Sequence, residues 1–371
     1  MKIFFATNRD VGTSDAGVSL GNGIHGREGA FRVGEIDVVP AAGTWVVDPA
    51  RLSLSPETIE ESVVEGRLVR NVVERGSDRL FASVREAALK EDTGDILILL
   101  HGAGHSLVSS LENMARCVEL YSDPHEPLPA DLSVGRVSPR RQMVPFALCY
   151  PTNGRANPVD YFLDRGDARL SGLALARTFA RLVKFVAALR RQDRRHIRIH
   201  LMAHSLGNFA LRNAIQTIVR RPGMRPVRLF DSIFLLHADE DSDALFDPGK
   251  LAPLSRFTDR VAVYFDRSDK LTRLSDAVHV DRLGQKGPQR GRCLSELPCE
   301  VTAIDCGGAT FDLRPDIQRH RHYFGARSVV DDIRQVIAGR PPHQVTGREP
   351  DPARPGFYRI VEGSAESVPP Q

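Results

Sequence analysis

Short, mostly apolar runs, each about one strand long, alternate along this chain with stretches of helical spacing. Asp95-Ile-Leu-Ile-Leu-Leu100, Val144–Cys149, Ile197–Met202, Ser232–Leu236, Arg260–Phe265 and Glu300–Ile304 are such runs. A strand that is apolar on both faces must be covered on both, which is how buried parallel strands read. Helical spacing occupies residues 57–90, 106–121, Ala168–Leu189 (Leu170, Leu173, Leu175, Phe179, Leu182, Phe185, Val186), Leu206–Val219 and Val329–Ile337. This alternation predicts an α/β fold: an open, mostly parallel sheet with helices on both faces. In such sheets ligands bind beyond the carboxyl ends of the strands, so chemistry is to be sought there.

The remaining segments are expected to be peripheral. Residues 2–6 read as a first strand, and residues 8–34 as a long loop followed by a hairpin around Phe31–Val39. Pro124–Arg141 and residues 275–298 read as surface excursions. Residues 340–371 hold seven prolines and few aliphatics, so a disordered tail is expected after one domain over residues 1–339.

Composition narrows the function. Over 371 residues, 50 Lys and Arg against 47 Asp and Glu leave a net charge of +3, too little surplus to suggest a nucleic-acid partner. No apolar run approaches the roughly 18 residues of a membrane-spanning helix. The start, MKIFFATNRD, is too short in apolar content for a secretory signal, so a cytoplasmic location is expected. Five cysteines, Cys117, Cys149, Cys293, Cys299 and Cys306, show no CxxC spacing, and neither a disulfide framework nor a metal site is expected. The basic stretch Arg190–Arg198, with Arg220, Arg221 and Arg225, reads as a solvated helix end with cations near its C-terminus.

The sharpest chemical signal is Ala203-His-Ser-Leu-Gly207, set between the run Ile197–Met202 and the helix from Leu206. A nucleophile elbow needs this strand–turn–helix context and small residues two before and two after the serine. Gly207 fits the GxSxG pattern and Ala203 departs from it. The bland reading makes Ser205 a helix N-cap, a role serines favour. A second signal, His101-Gly-Ala-Gly-His105, directly follows a strand. Such a loop supplies a backbone N–H for an oxyanion, from Gly102 or Ala103, while the Leu206 N–H supplies the other. His101 and His105 read as structural rather than metal-ligating.

A serine nucleophile needs a base, and the base an orienting carboxylate. Two acidic clusters follow downstream strands, Ala238-Asp-Glu-Asp-Ser-Asp243 and Asp266-Arg-Ser-Asp269, and one of them must be an ordinary surface turn. Asp269 is preferred to Asp239 because it follows the later strand. His320 and His322 come after the last strand, within Arg-His-Arg-His-Tyr-Phe324. Counting back from Val329–Ile333 favours His320, and adjacency to Tyr323-Phe324 favours His322.

Together these segments resemble a bacterial family of uncharacterised α/β hydrolases of the esterase/lipase superfamily, over roughly residues 2–338. The carrying motifs are Phe5-Ala-Thr-Asn-Arg9, Leu99-Leu-His-Gly102, Cys149-Tyr-Pro-Thr-Asn-Gly154, Tyr161-Phe-Leu-Asp-Arg165 with Ala168 and Ser171, His200–Asn208, Ala238–Asp241, and Tyr264–Asp269 with Leu274 and Ser275. The resemblance implies an α/β-hydrolase fold with Ser205 as nucleophile and Asp269 as triad acid, acting on a small-molecule carboxylic ester without a cofactor. Two other readings remain: a binding or scaffold protein on a hydrolase fold, and a thioesterase or peptidase.

Overall fold

The structure is a computed structural model. It describes residues 1–361 except 15–16, 27–28, 42–43, 56–57, 65–66, 91–92, 123–141, 156, 190–196, 270, 272–280, 290–292 and 311–318. The excursion expected at Pro124–Arg141, most of the basic stretch at 190–198, and parts of 275–298 therefore lie outside the described residues.

The apolar runs became the centre of one twelve-stranded sheet. β1 (Lys2–Thr7), β10 (Gln142–Cys149), β9 (Thr93–Leu100), β11 (Arg198–His204), β12 (Ser232–Leu236), β13 (Arg260–Phe265), β14 (Glu300–Asp305) and β16 (Phe357–Ile360) lie side by side in that order, all parallel. β4 (Arg32–Ala41) joins β1 antiparallel and carries β5 (Thr44–Val47) and β6 (Ser53–Leu54); β15 (Arg348–Pro350) joins β16 antiparallel.

β9 shows why the runs are continuous. Ile96, Ile98 and Leu100 face one core, and Leu97 and Leu99 face the other, none more than 2% exposed. The first core is closed by α1 (Gly76–Ala88) through Leu80, Phe81 and Val84, by α4 (Gly172–Ala188) through Leu175, Phe179 and Leu182, and by α5 (Leu206–Arg220) through Leu211 and Ile215. The second is closed by α2 (Leu107–Tyr121) through Leu111 and Met114, and by α8 (Arg327–Ile337) through Val329 and Ile333. Ser106 caps α2, its Oγ accepting from Ser109 N at 3.1 Å.

Four expectations are corrected. Residues 8–34 are no loop: β2 (Arg9–Ser14) and β3 (Gly17–Ile24) form a hairpin, and β4 follows. Residues 58–64 and 67–74 are not helical: β7 (Thr58–Val64) pairs with β8 (Arg67–Glu74), and the helix begins only at Gly76. Both strands are rich in β-branched residues, which favour extended backbone over helix. The helix expected over Ala168–Leu189 is two, α3 (Pro158–Leu170) and α4, broken at Ser171-Gly172. Gly172 permits a close crossing with α5, since a Cβ there would sit 2.8 Å from Asn213 Cβ.

The fourth correction is the tail. Residues 348–360 return to the sheet as β15 and β16. Apolar content is indeed low, but two anchors, Phe357 and Ile360, are buried. Backbone pairing with β14 and a buried ion pair, Arg348 Nε to Asp332 Oδ2 at 3.2 Å, add to them. Asp332 also accepts from Tyr264 Oη at 2.6 Å. Breaking a buried pair on one side costs on the order of 3–5 kcal/mol. A chain ended at Val345 is therefore expected to melt at least about 5 °C lower by scanning calorimetry, whereas an unchanged midpoint would mean that these strands do not dock.

Candidate active site

The sharp turn after β11 places Ser205 at the sheet's carboxyl edge with φ 50° and ψ −123°. For a residue with a Cβ this conformation is strained, by about 1–3 kcal/mol, and persists only where its surroundings fix it. They do: Ser205 N donates to Leu236 O at 2.9 Å, and Ser205 O accepts from Asn208 N (3.0 Å) and Asp239 N (3.1 Å). Asn208 Nδ2 holds the carbonyls of both Ala203 and Ser205. Gly207 is where α5 meets the end of β9. A Cβ there would lie 2.5 Å from Leu100 O and 2.6 Å from His101 O, so no other residue fits. Ala203 is fully buried, in register between Leu100 and Leu235, and its methyl is accommodated.

The loop 101–105 packs directly on this turn. A Cβ on Gly102 would meet Ser205 Cβ and His204 Nδ1, each at 3.0 Å. The loop is pinned from behind. The His101 ring stacks on Tyr150 at 4.5 Å, with Nδ1 2.8 Å from Gly102 O and Nε2 3.1 Å from Tyr150 O. Burial pushes this ring down to about 3, so it is neutral and donates to one of those carbonyls at a time. Asp164 on α3 accepts from Gly104 N and from Asn153 N, both at 2.8 Å. Arg9, wholly buried, donates to the carbonyls of His105 (3.0 Å) and Gly21 (3.2 Å). Leu206 opens α5, so its N–H has no acceptor within the helix. Gly102, Ala103 and Leu206 thus lie together at the elbow.

The two acidic clusters separate by their partners. Asp239 accepts from Tyr161 Oη and Arg165 Nη1 (3.4 Å) and pairs with Arg282 Nη2 at 3.2 Å. Asp269 instead faces rings: its Oδ2 lies 2.6 Å from His320 Nδ1 and 3.3 Å from His237 Nδ1, while Oδ1 accepts from Leu271 N at 3.0 Å. Burial alone would raise this carboxyl. The charge of His320 and the ring hydrogen bonds outweigh it and hold Asp269 well below the usual carboxylate range.

The two histidines separate as well. His320 reaches Asp269, and its carbonyl accepts from His204 Nε2 at 2.9 Å, tying it to the residue before Ser205. A carbonyl cannot donate, which fixes the His204 tautomer; burial keeps that ring neutral. His322, at the start of the short helix α7 (His322–Gly325), is buried, with Nδ1 3.2 Å from His237 Nε2 and Nε2 3.5 Å from Asp266 Oδ2. Burial, with the charge of His237, pushes it down to about 2. The structure brings Asp269 to His320, and neither Asp239 nor His322 makes that contact. Ser205 Oγ has no hydrogen bond to either ring.

Sequence reasoning passed over His237, and it gave no role to Arg9 and Asp164, which entered only within the motifs of the resemblance. The signal for His237 was its place directly after β12, where chemistry was expected. Among the described residues, His237, Asp269 and His320 form the one group with metal-ligand spacing, their ligand atoms within 4.8 Å of one another. The 2.6 Å contact within it is a hydrogen bond, shorter than the ~3.3 Å between two ligands of a tetrahedral zinc.

Comparison with known proteins adds the family. A family model described as "Alpha/beta hydrolase of unknown function (DUF900)" matches residues 77–335. No curated protein matches the chain. A solved structure of phospholipase PlaB from Legionella pneumophila in complex with thio-NAD shares 15% identity. The match covers 59% of this chain and 38% of that one, with a TM-score of 0.24. Among the described residues no helix is long and apolar enough to cross a membrane.

The close approach at Gly207 yields a test. Gly207→Ala forces apart backbone that no rotamer can relieve, so a loss of at least about 3 kcal/mol is expected in denaturant unfolding. No loss, or a gain of up to about 1 kcal/mol from the better helix propensity of Ala, would mean that α5 and β9 are not in this contact.

Proposed function

The chain belongs to this α/β-hydrolase family of unknown function, and from that premise we propose that it is a serine hydrolase cleaving a small-molecule carboxylic ester. Ser205 Oγ attacks the acyl carbon. His320 Nε2 takes the hydroxyl proton and then delivers it to the leaving alcohol, giving an acyl-enzyme. Water, deprotonated by the same nitrogen, releases the acid. Asp269 holds the Nδ1–H of His320 and stabilises the imidazolium as it forms. The N–H groups of Leu206 and of the Gly102–Ala103 loop receive the oxyanion, each donor contributing about 3 kcal/mol to the barrier lowering.

The observation that carries this reading is the meeting of a strained, left-handed serine at a strand–helix turn with an Asp–His pair 2.6 Å apart, tied to it through His204. The missing Oγ–ring hydrogen bond agrees with the loose geometry common in unliganded sites.

A fluorophosphonate is expected to modify Ser205 alone, as read by peptide mapping, and Ser205→Ala to abolish the adduct. An adduct elsewhere would falsify the assignment. Esters should turn over faster than matched thioesters and amides, and the opposite order would make the protein a thioesterase or peptidase. Asp269→Asn should lower kcat by roughly 10⁴-fold. Should Asp239→Asn cost more in protein that stays folded, the acid has been misassigned.

A further inference from the structure

The serine-hydrolase reading uses one face of Asp269 and leaves the other occupied by His237. That residue is fully buried and has φ 45°; it and Ser205 are the two described non-glycine residues with positive φ. Its backbone is clamped. His237 N donates to Tyr264 O at 2.9 Å, and Gly284 N to Ala238 O at 2.9 Å. Gly284 packs so tightly that a Cβ there would come within 2.3 Å of the His237 carbonyl carbon. Strain held this firmly at a strand end marks a position whose side chain must point one way. The ring lies between two partners, Nδ1 3.3 Å from Asp269 Oδ2 and Nε2 3.2 Å from His322 Nδ1, stacked on His322 at 5.0 Å and 8°.

We infer that His237 is a positioning residue that shares the carboxylate of Asp269 with His320 and so sets how strongly that carboxylate pulls on the base. The inference rests on the proposed triad. A proton on His237 Nδ1, 3.3 Å from Oδ2, draws charge from that oxygen, leaving less for His320. Without the His237 ring, the carboxylate pulls harder on His320, the imidazolium is better stabilised, and the acid limb of the rate profile must move up in pH.

The surrounding charges are fixed on each side. Behind His237, His322 leads to Asp266, which is paired with Arg319 at 3.3 Å. On the side of α6 (Leu283–Lys286), Arg282 is engaged by Asp239 and Asp241. Beside His320 stand His204, kept neutral by burial, and His105, whose Nε2 lies 3.4 Å from Arg321 Nη2.

Two substitutions tolerate the left-handed backbone: His237→Gly, which removes the donor, and His237→Asn, which keeps a short amide donor. Each is made in the full chain and compared with the unchanged protein. One readout is the pH dependence of kcat/KM for p-nitrophenyl butyrate. The other is the low-field proton NMR signal of the His320 Nδ1–H, which needs no turnover. For His237→Gly the acid limb should rise by roughly one pH unit and the ring-proton signal should move; His237→Asn should restore part of both. If the signal and the limb stay put in folded His237→Gly, His237 only fills space and the proposal is overturned. If the signal moves while the unchanged protein neither turns over esters nor takes a fluorophosphonate at Ser205, positioning stands and the hydrolase reading falls. Stoichiometric zinc uptake that removes the ring proton also overturns the proposal, by making the cluster a metal site.

Discussion

The contact on which the rest of the structure depends is the approach of α5 to the end of β9, where Gly207 lies against the carbonyls of Leu100 and His101. Because no side chain intervenes, the helix can begin at once after β11, and the intervening turn has to be sharp. That sharpness forces Ser205 into its left-handed conformation and presses Gly102 against it. The loop that follows β9 and the first N–H groups of α5 are then neighbours by construction, since both are anchored to the same few atoms. The remaining clamps, Arg9, Asp164 and the His101–Tyr150 stack, keep the loop from drifting away.

What the sequence revealed follows from how local each cause is. The core strands were legible because burial on both faces leaves an unbroken apolar run, as in Ile96–Leu100. Ser205, Gly207 and the loop after β9 were legible because elbow and loop are each set within a few residues. Residues 57–74 misled because Leu68, Val72 and Val73 fall at helical spacing, whereas β7 and β8 are stabilised by each other's backbone, which spacing does not record. The last strands misled for a related reason: composition counts apolar side chains but not pairing to β14 or the Arg348–Asp332 pair. The choice between Asp239 and Asp269 could not be made locally. Both follow core strands, and their difference arises from residues brought in from distant parts of the chain.

That difference is a matter of what neutralises each acid. Asp239 is held by Arg165 and Arg282, permanent cations, and by the hydroxyl of Tyr161. An acid so matched is a strut: it ties α3 to the segment after β12. Asp269 is matched instead by two imidazole rings, neither of them a permanent cation. Two carboxylates at the ends of adjacent strands thus have unlike partners, and under the proposed function they have unlike tasks, one mechanical and one chemical.

The docking of β16 also bears on how the chain is made. The parallel sheet grows outward from β9, and its last core strand, β14, has β13 on one side only until residues 348–360 arrive. During synthesis, then, β14 offers a row of unpaired backbone groups after most of the protein is already present. An open edge of this kind invites pairing with a neighbouring chain. β16 closes it, and β15 beyond it is three residues long and ends in Pro350, which has no N–H to donate. The final strands act as a selvedge on this side of the sheet, replacing a long open edge with a short one that offers little for another molecule to pair with.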